Sequence, residues 1–117
     1  MLENWCWEHS ILQKLSIHYL TGQMIPIEIC ERLVRSRNVN IGLQTLRQVF
    51  FASFDMSLHS GEAVDIHHLW DQYRCEIALI PMVPGTFPYS TFGHILGGYD
   101  CGYYGYLWSQ MFSADMF

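Results

Sequence analysis

Positive charge is scarce in this 117-residue chain: six Lys and Arg stand against eleven Asp and Glu, a formal charge of −5 at pH 7. The six bases, Lys14, Arg32, Arg35, Arg37, Arg47 and Arg74, are scattered. That distribution excludes the basic face a nucleic-acid partner needs. No Cys-x-x-Cys pair occurs among Cys6, Cys30, Cys75 and Cys101, and such long, irregular spacing in a helix-rich chain predicts reduced, buried thiols. No cationic segment precedes an apolar core at the start, where Glu3 and Glu8 intervene, so no signal peptide is expected. The most apolar stretch, 92–112, carries His94, Asp100, Gln110 and five glycines, which excludes a membrane span. Repeats, low-complexity tracts and linkers are also lacking. The expectation is a soluble intracellular protein, cytoplasmic or mitochondrial, without nucleic-acid or membrane partners.

What the chain does have is apolar bulk: 50% hydrophobic and 15% aromatic residues. That rules out disorder, and the length suits one domain over 1–117 that buries about two-thirds of its surface. The periodicity is helical almost throughout, with no alternating strand pair around a hairpin turn, and predicts an all-α fold. Leu2, Trp5, Leu12, Leu15 and Tyr19 form a broken stripe ended by Thr21-Gly22. A second helix is expected from Pro26, which suits a first turn, burying Ile27, Cys30, Leu33 and Val34. Asn38 or Asn40 can cap a third helix, in which Leu43, Leu46, Phe50, Phe54 and Leu58 recur every three or four residues up to Ser60-Gly61. Asp65 can cap a fourth, with Leu69, Trp70, Tyr73 and Ile77 inward. Pro81, Pro84, Gly85 and Pro88 impose an extended or turning segment.

The segment Phe92-Gly93-His94-Ile95-Leu96-Gly97-Gly98-Tyr99-Asp100-Cys101-Gly102-Tyr103-Tyr104-Gly105-Tyr106-Leu107-Trp108 is the most informative. Asp100 is placed as the N-cap of a last helix. At 100° per residue, Tyr103, Tyr106 and Gln110 then share one stripe, with Tyr99 leaning to the same side. Gly102, Gly105 and Ser109 make a stripe of small residues, and Tyr104, Trp108 and Met111 a bulky one. A phenol stays protonated near neutral pH, its reference pKa being about 10. It can therefore donate to the oxyanion formed when water attacks a peptide carbonyl, and His94 can add a second donor. Gly97-Gly98 lets the loop bend around a bound peptide. Spacing alone leaves a second reading open, in which each tyrosine is a core residue with its hydroxyl satisfied at a helix interface.

The run Gly-Gly-Tyr-Asp followed by Tyr-Tyr-Gly-Tyr-Leu-Trp, together with Met1-Leu2-Glu3-Asn4-Trp5, resembles the thimet oligopeptidase, neurolysin and saccharolysin family of zinc metallopeptidases. The resemblance extends to Ser36-Arg37-Asn38, Gly42-Leu43, Thr45-Leu46-Arg47-Gln48, Phe50-Phe51-Ala52-Ser53-Phe54-Asp55 and Pro84-Gly85-Thr86, and so covers nearly the whole chain. It implies a multi-helical fragment of a zincin-type catalytic domain, downstream of the zinc-binding signature. By resemblance, His94 and Tyr106 are catalytic, while Tyr99, Tyr103, Gly97 and Gly98 bind substrate. Glu3 is an outer residue orienting a ligand of the zinc. The substrates implied are short peptides.

The family's His-Glu-x-x-His signature is nowhere in the sequence. The resemblance therefore places all three zinc ligands upstream, in a missing N-terminal part of the catalytic domain, and predicts an inactive isolated chain. No alternative metal site emerges. His67 and His68 are adjacent and diverge on a helix, Glu8-His9 lacks a second histidine, and His18 and His59 stand alone. Arg47 and Asp55 are expected either in buried polar contacts or as a solvated pair, with no catalytic role. The competing reading is a non-catalytic all-α interaction module derived from a peptidase, its apolar surface binding another protein.

Overall fold

Phe50, Phe54 and Trp70 decide how the larger half of the chain packs. In the computed structural model, which describes residues 2–61 and 63–117, the apolar residues after Asn40 wind into the longest helix. We label the first three helices α1 (His9–Leu15), α2 (Ile27–Ser36) and α3 (Ile41–Leu58). Asn40 precedes α3 with φ at 59°, a left-handed conformation that asparagine tolerates. At the other end the Ser60 hydroxyl donates to the Ser57 carbonyl and Gly61 takes φ +94°, so Ser60-Gly61 closes the helix as expected. All the described regular structure is helical, and no strand longer than one isolated bridge occurs among the described residues. The fold is all-α.

Helix α4 (Ile66–Glu76) begins where Asp65 caps it, the carboxylate accepting from the amides of His67 and His68 at 3.0 and 3.1 Å. These are two of the amides a helix start leaves without partners. Asp65→Ala should therefore cost about 1 kcal/mol of stability, read as a lower urea midpoint at unchanged slope. An unchanged midpoint would mean that water replaces the cap without loss.

The chain forms two compact units, one comprising Met1–Ile41 with Phe112–Phe117 and the other Gly42–Met111. In the second unit Trp70 of α4 meets Phe50 and Phe54 of α3 edge to face, each with ring centroids 4.8 Å apart. Phe92 stacks on Phe51 at 4.6 Å. Ala52, Ala78 and Tyr103 complete this core. The proline segment crosses without helix until a 3₁₀ turn at Pro88–Thr91, which a second 3₁₀ turn at Gly93–Leu96 and helix α5 (Gly105–Met116) follow.

In the first unit the stripe expected to be one helix is divided. Leu2–Trp7 is a 3₁₀ helix, Glu8 is extended, and α1 ends where the Ser16 amide and hydroxyl both take the Leu12 carbonyl. Leu2, Trp5, Leu15 and Tyr19 are exposed. The chain then turns through an isolated antiparallel bridge between Ile17 and Met24 and enters α2 directly after Pro26. Of the α2 face expected inside, Cys30 is buried, whereas Ile27 and Leu33 remain exposed. Cys6, Cys75 and Cys101 are exposed as well, so burial of the thiols holds for Cys30 and fails for the others.

Candidate active-site surface

His94 lies in the 3₁₀ turn Gly93–Leu96, and its carbonyl accepts the amides of both Gly97 and Tyr99 at 3.2 Å. That double contact reverses the chain within five residues. Gly98 sits at φ +92°, and a Cβ at Gly97 would lie 3.2 Å from the Gly93 carbonyl oxygen. The paired glycine is thus needed on steric grounds where the sequence suggested a bend. The reversal returns the Tyr99 ring to His94, with centroids 5.8 Å apart.

Asp100 does not cap the last helix. Residues 100–104 form a turn and α5 starts at Gly105. The reason is tertiary: the amides of Cys101 and Tyr103 donate to the carboxylate of Asp55, at 3.1 and 3.0 Å. Cys101 takes φ 57° to reach it. A side chain from α3 therefore holds this turn in place of the local aspartate, and the helix begins at Gly105 instead of directly after Asp100.

The turn gathers three phenols around one imidazole. Ring centroids of Tyr99, Tyr103 and Tyr106 lie 5.8, 5.4 and 6.0 Å from that of His94, at interplanar angles of 73°, 85° and 81°. Tyr99 and Tyr106 stack on each other at 5.4 Å, 13° from parallel. The four aromatic residues named from sequence are thus neighbours, with Gly97 and Gly98 in the connecting loop. Their environments differ. Tyr99 and Tyr106 are 45% and 42% exposed, and Tyr103 is 5% exposed. The Tyr103 hydroxyl donates to Gln48 Oε1 at 3.0 Å, and its buried ring meets that of Tyr106 at 4.9 Å.

The electrostatics follow the same division. A side-chain hydrogen bond to Tyr99 holds the Tyr106 pKa above the usual phenol value, with desolvation and the neighbouring phenols adding to it. Burial raises Tyr103, against the opposing charge of Arg47. Both groups therefore remain protonated donors across the neutral range. The surface can present O–H and N–H donors beside an open aromatic face, which suits a polarised carbonyl flanked by side chains.

Asp55, His59 and Gln48 were missed as members of this neighbourhood. Asp55 is fully buried, not solvated, while Arg47 is exposed and lies over the Phe51 ring at 5.1 Å. The signal available was an acid directly after the aromatic run Phe50–Phe54 with a histidine four residues on, one helical turn away. Glu3 is exposed in the 3₁₀ helix of the first unit. Its neighbour Asn4 donates to Ser113 Oγ at 3.0 Å and accepts from the Arg37 guanidinium.

Zinc needs three or four ligands from His, Cys, Asp or Glu. Among the described residues no three such side chains converge, so the residues present do not make a zinc site and no step is derived through one. No helix of the described residues is long and apolar enough to cross a membrane.

Peptidase family M3 matches residues 1–117. The chain is 40% identical to a thimet-like oligopeptidase of Dictyostelium discoideum over 100% of its own length and 18% of the relative's. It is 42% identical to saccharolysin of Saccharomyces cerevisiae, over 100% of this chain and 17% of that protein. It is 36% identical to the organellar oligopeptidase A, chloroplastic/mitochondrial, of Arabidopsis thaliana, over 99% and 15% respectively. The chain thus spans less than a fifth of each of these relatives. With the family matched from the first residue to the last, the chain belongs to peptidase family M3.

Proposed function

We propose that this chain supplies the substrate-binding and oxyanion-stabilising wall of an intracellular zinc metallopeptidase that cleaves short peptides. The observation that carries the reading is the His94 imidazole ringed by phenols, two of them open to solvent. In this reading Tyr106 and His94 donate to the tetrahedral oxyanion. Tyr99, Tyr103 and the Gly97-Gly98 loop shape the peptide site, and Glu3 orients a group of the metal centre. Zinc, when bound by ligands elsewhere in the complete protein, supplies the activation of water. Tyr103 contributes from the core, by packing against Tyr106 and His94. Activity belongs to the complete protein, and the chain alone is inactive.

The test is a chimera in which this chain replaces the matching segment of yeast saccharolysin, assayed on a quenched short peptide. The chimera is expected to cleave, and His94→Ala to lower kcat by about 10²-fold, the loss typical of one oxyanion donor. A folded chimera with full zinc content and no cleavage, beside an active parent, would remove the assignment. Cleavage unaffected by His94→Ala would remove His94 from it.

A further inference from the structure

We infer that Asp55 is the positioning residue of the tyrosine surface, holding Tyr99 and Tyr106 in register through the backbone between them. This rests on the function proposed above and adds a residue that touches neither substrate nor metal. Asp55 is the buried charged side chain of the described residues, with no exposed surface at all. A carboxylate in such a place persists only when its oxygens are satisfied, and here three donors converge. Oδ1 accepts from the Cys101 amide at 3.1 Å and from His59 Nδ1 at 3.0 Å, and Oδ2 accepts from the Tyr103 amide at 3.0 Å. His59 Nδ1 is also 2.9 Å from the Asp55 carbonyl oxygen. Both of its neighbours are acceptors, so the proton resides on Nδ1.

The two clamped amides lie between the two exposed phenols. Tyr99 is two residues before Cys101, and its carbonyl accepts the Gly102 amide at 2.8 Å. Tyr106 is three residues after Tyr103 and donates its amide to the Tyr103 carbonyl at 3.2 Å. Cys101 is held at φ 57°, a conformation that a non-glycine residue leaves unless its surroundings fix it. The carboxylate itself stands on a rigid base, since Asp55 follows Phe54, which is locked against Trp70. The stacking of Tyr99 on Tyr106 is therefore set by α3, across 46 and 48 residues of sequence.

The experiment is a double-mutant cycle in the saccharolysin chimera, using Asp55→Asn and Tyr106→Phe. Asp55→Asn keeps the size of the side chain but replaces one acceptor oxygen by a donor. It is expected to lower kcat by at least tenfold with KM within about threefold and zinc content unchanged. In the Tyr106→Phe background the same substitution should cost no more than about twofold, because the phenol it aims is already gone. Equal fold losses in both backgrounds would overturn the inference.

If Asp55→Asn fails to fold, His59→Ala carries the same cycle. A loss of about threefold in the parent and none beside Tyr106→Phe is expected, and again equal losses overturn it. Hydrogen exchange separates this inference from the function it rests on. Asp55→Asn or His59→Ala should speed exchange of the 99–106 amides at least tenfold while α4 is unchanged, whatever Tyr106→Phe does to activity. Uniform acceleration, or none, would sink the positioning role even if the phenol proves catalytic. Local acceleration beside a silent Tyr106→Phe would leave the clamp standing and remove the oxyanion role.

Discussion

Tyr106→Phe in the saccharolysin chimera is expected to lower kcat by roughly 10²-fold while KM stays within a few-fold. The substitution removes one oxygen and keeps the ring, so the stacking on Tyr99 at 5.4 Å and the contact with Tyr103 at 4.9 Å survive. An interaction formed only with the tetrahedral intermediate is lost from kcat, whereas uniform binding is lost from KM. Tyr99 holds the Tyr106 pKa above the usual phenol value. The hydroxyl is protonated throughout the range in which a peptidase is assayed, and the ratio of parent to variant should stay constant between pH 6 and 9, within about twofold. A kcat within a few-fold of the parent would make the phenol structural and pass its role to His94 or Tyr99. A rise in KM alone would assign Tyr106 to ground-state binding.

The second large effect is on stability. Phe54→Ala should cost about 3–5 kcal/mol, the range for deleting a buried aromatic ring, measured by urea unfolding of the chimera or of the chain. Phe54 has no exposed surface, and Phe50, Trp70 and Phe92 surround it at centroid distances of 6.5, 4.8 and 6.3 Å. Leu96 is 87% exposed, and Leu96→Ala should change stability by less than about 0.5 kcal/mol. A loss below about 1 kcal/mol at Phe54 would contradict the packing described for α3 against α4. So would similar losses at the two sites.

Helices whose ends are local were readable from the sequence. Asp65 caps α4 with amides two and three residues on, and Ser60-Gly61 ends α3 with a bond three residues back. Pro26 marks α2 because a proline's constraint acts on its own backbone. The start of α5 was misplaced for the opposite reason. Asp100 has the right chemistry for a cap, but of the two amides it would serve Tyr103's goes to Asp55 and Gly102's to the Tyr99 carbonyl, and nothing within ten residues of Asp100 announces the Asp55 contact. The first stripe failed similarly, since apolar spacing alone did not distinguish one helix from a 3₁₀ helix followed by an α-helix. At the candidate site the cluster of His94, Tyr99, Tyr103 and Tyr106 could be anticipated. Helical spacing, however, put Tyr103 and Tyr106 on one stripe of equal standing. Tyr103 instead lies in the turn before α5, its hydroxyl on Gln48, because the rings of Phe51 and Phe92 pack against it.

The Asp55 clamp also sets the order of events during folding. Contacts across 46 and 48 residues require closure of a long loop, whose entropy must be met before the contact returns anything. Helix α3 can form from its own neighbours within microseconds. The phenol surface cannot, since the turn at Cys101 is completed by a carboxylate 46 residues away. A newly made chain should therefore acquire its helices first and its tyrosine array last. Quenching of tyrosine fluorescence by the packed rings would then trail the far-ultraviolet signal in a stopped-flow refolding experiment.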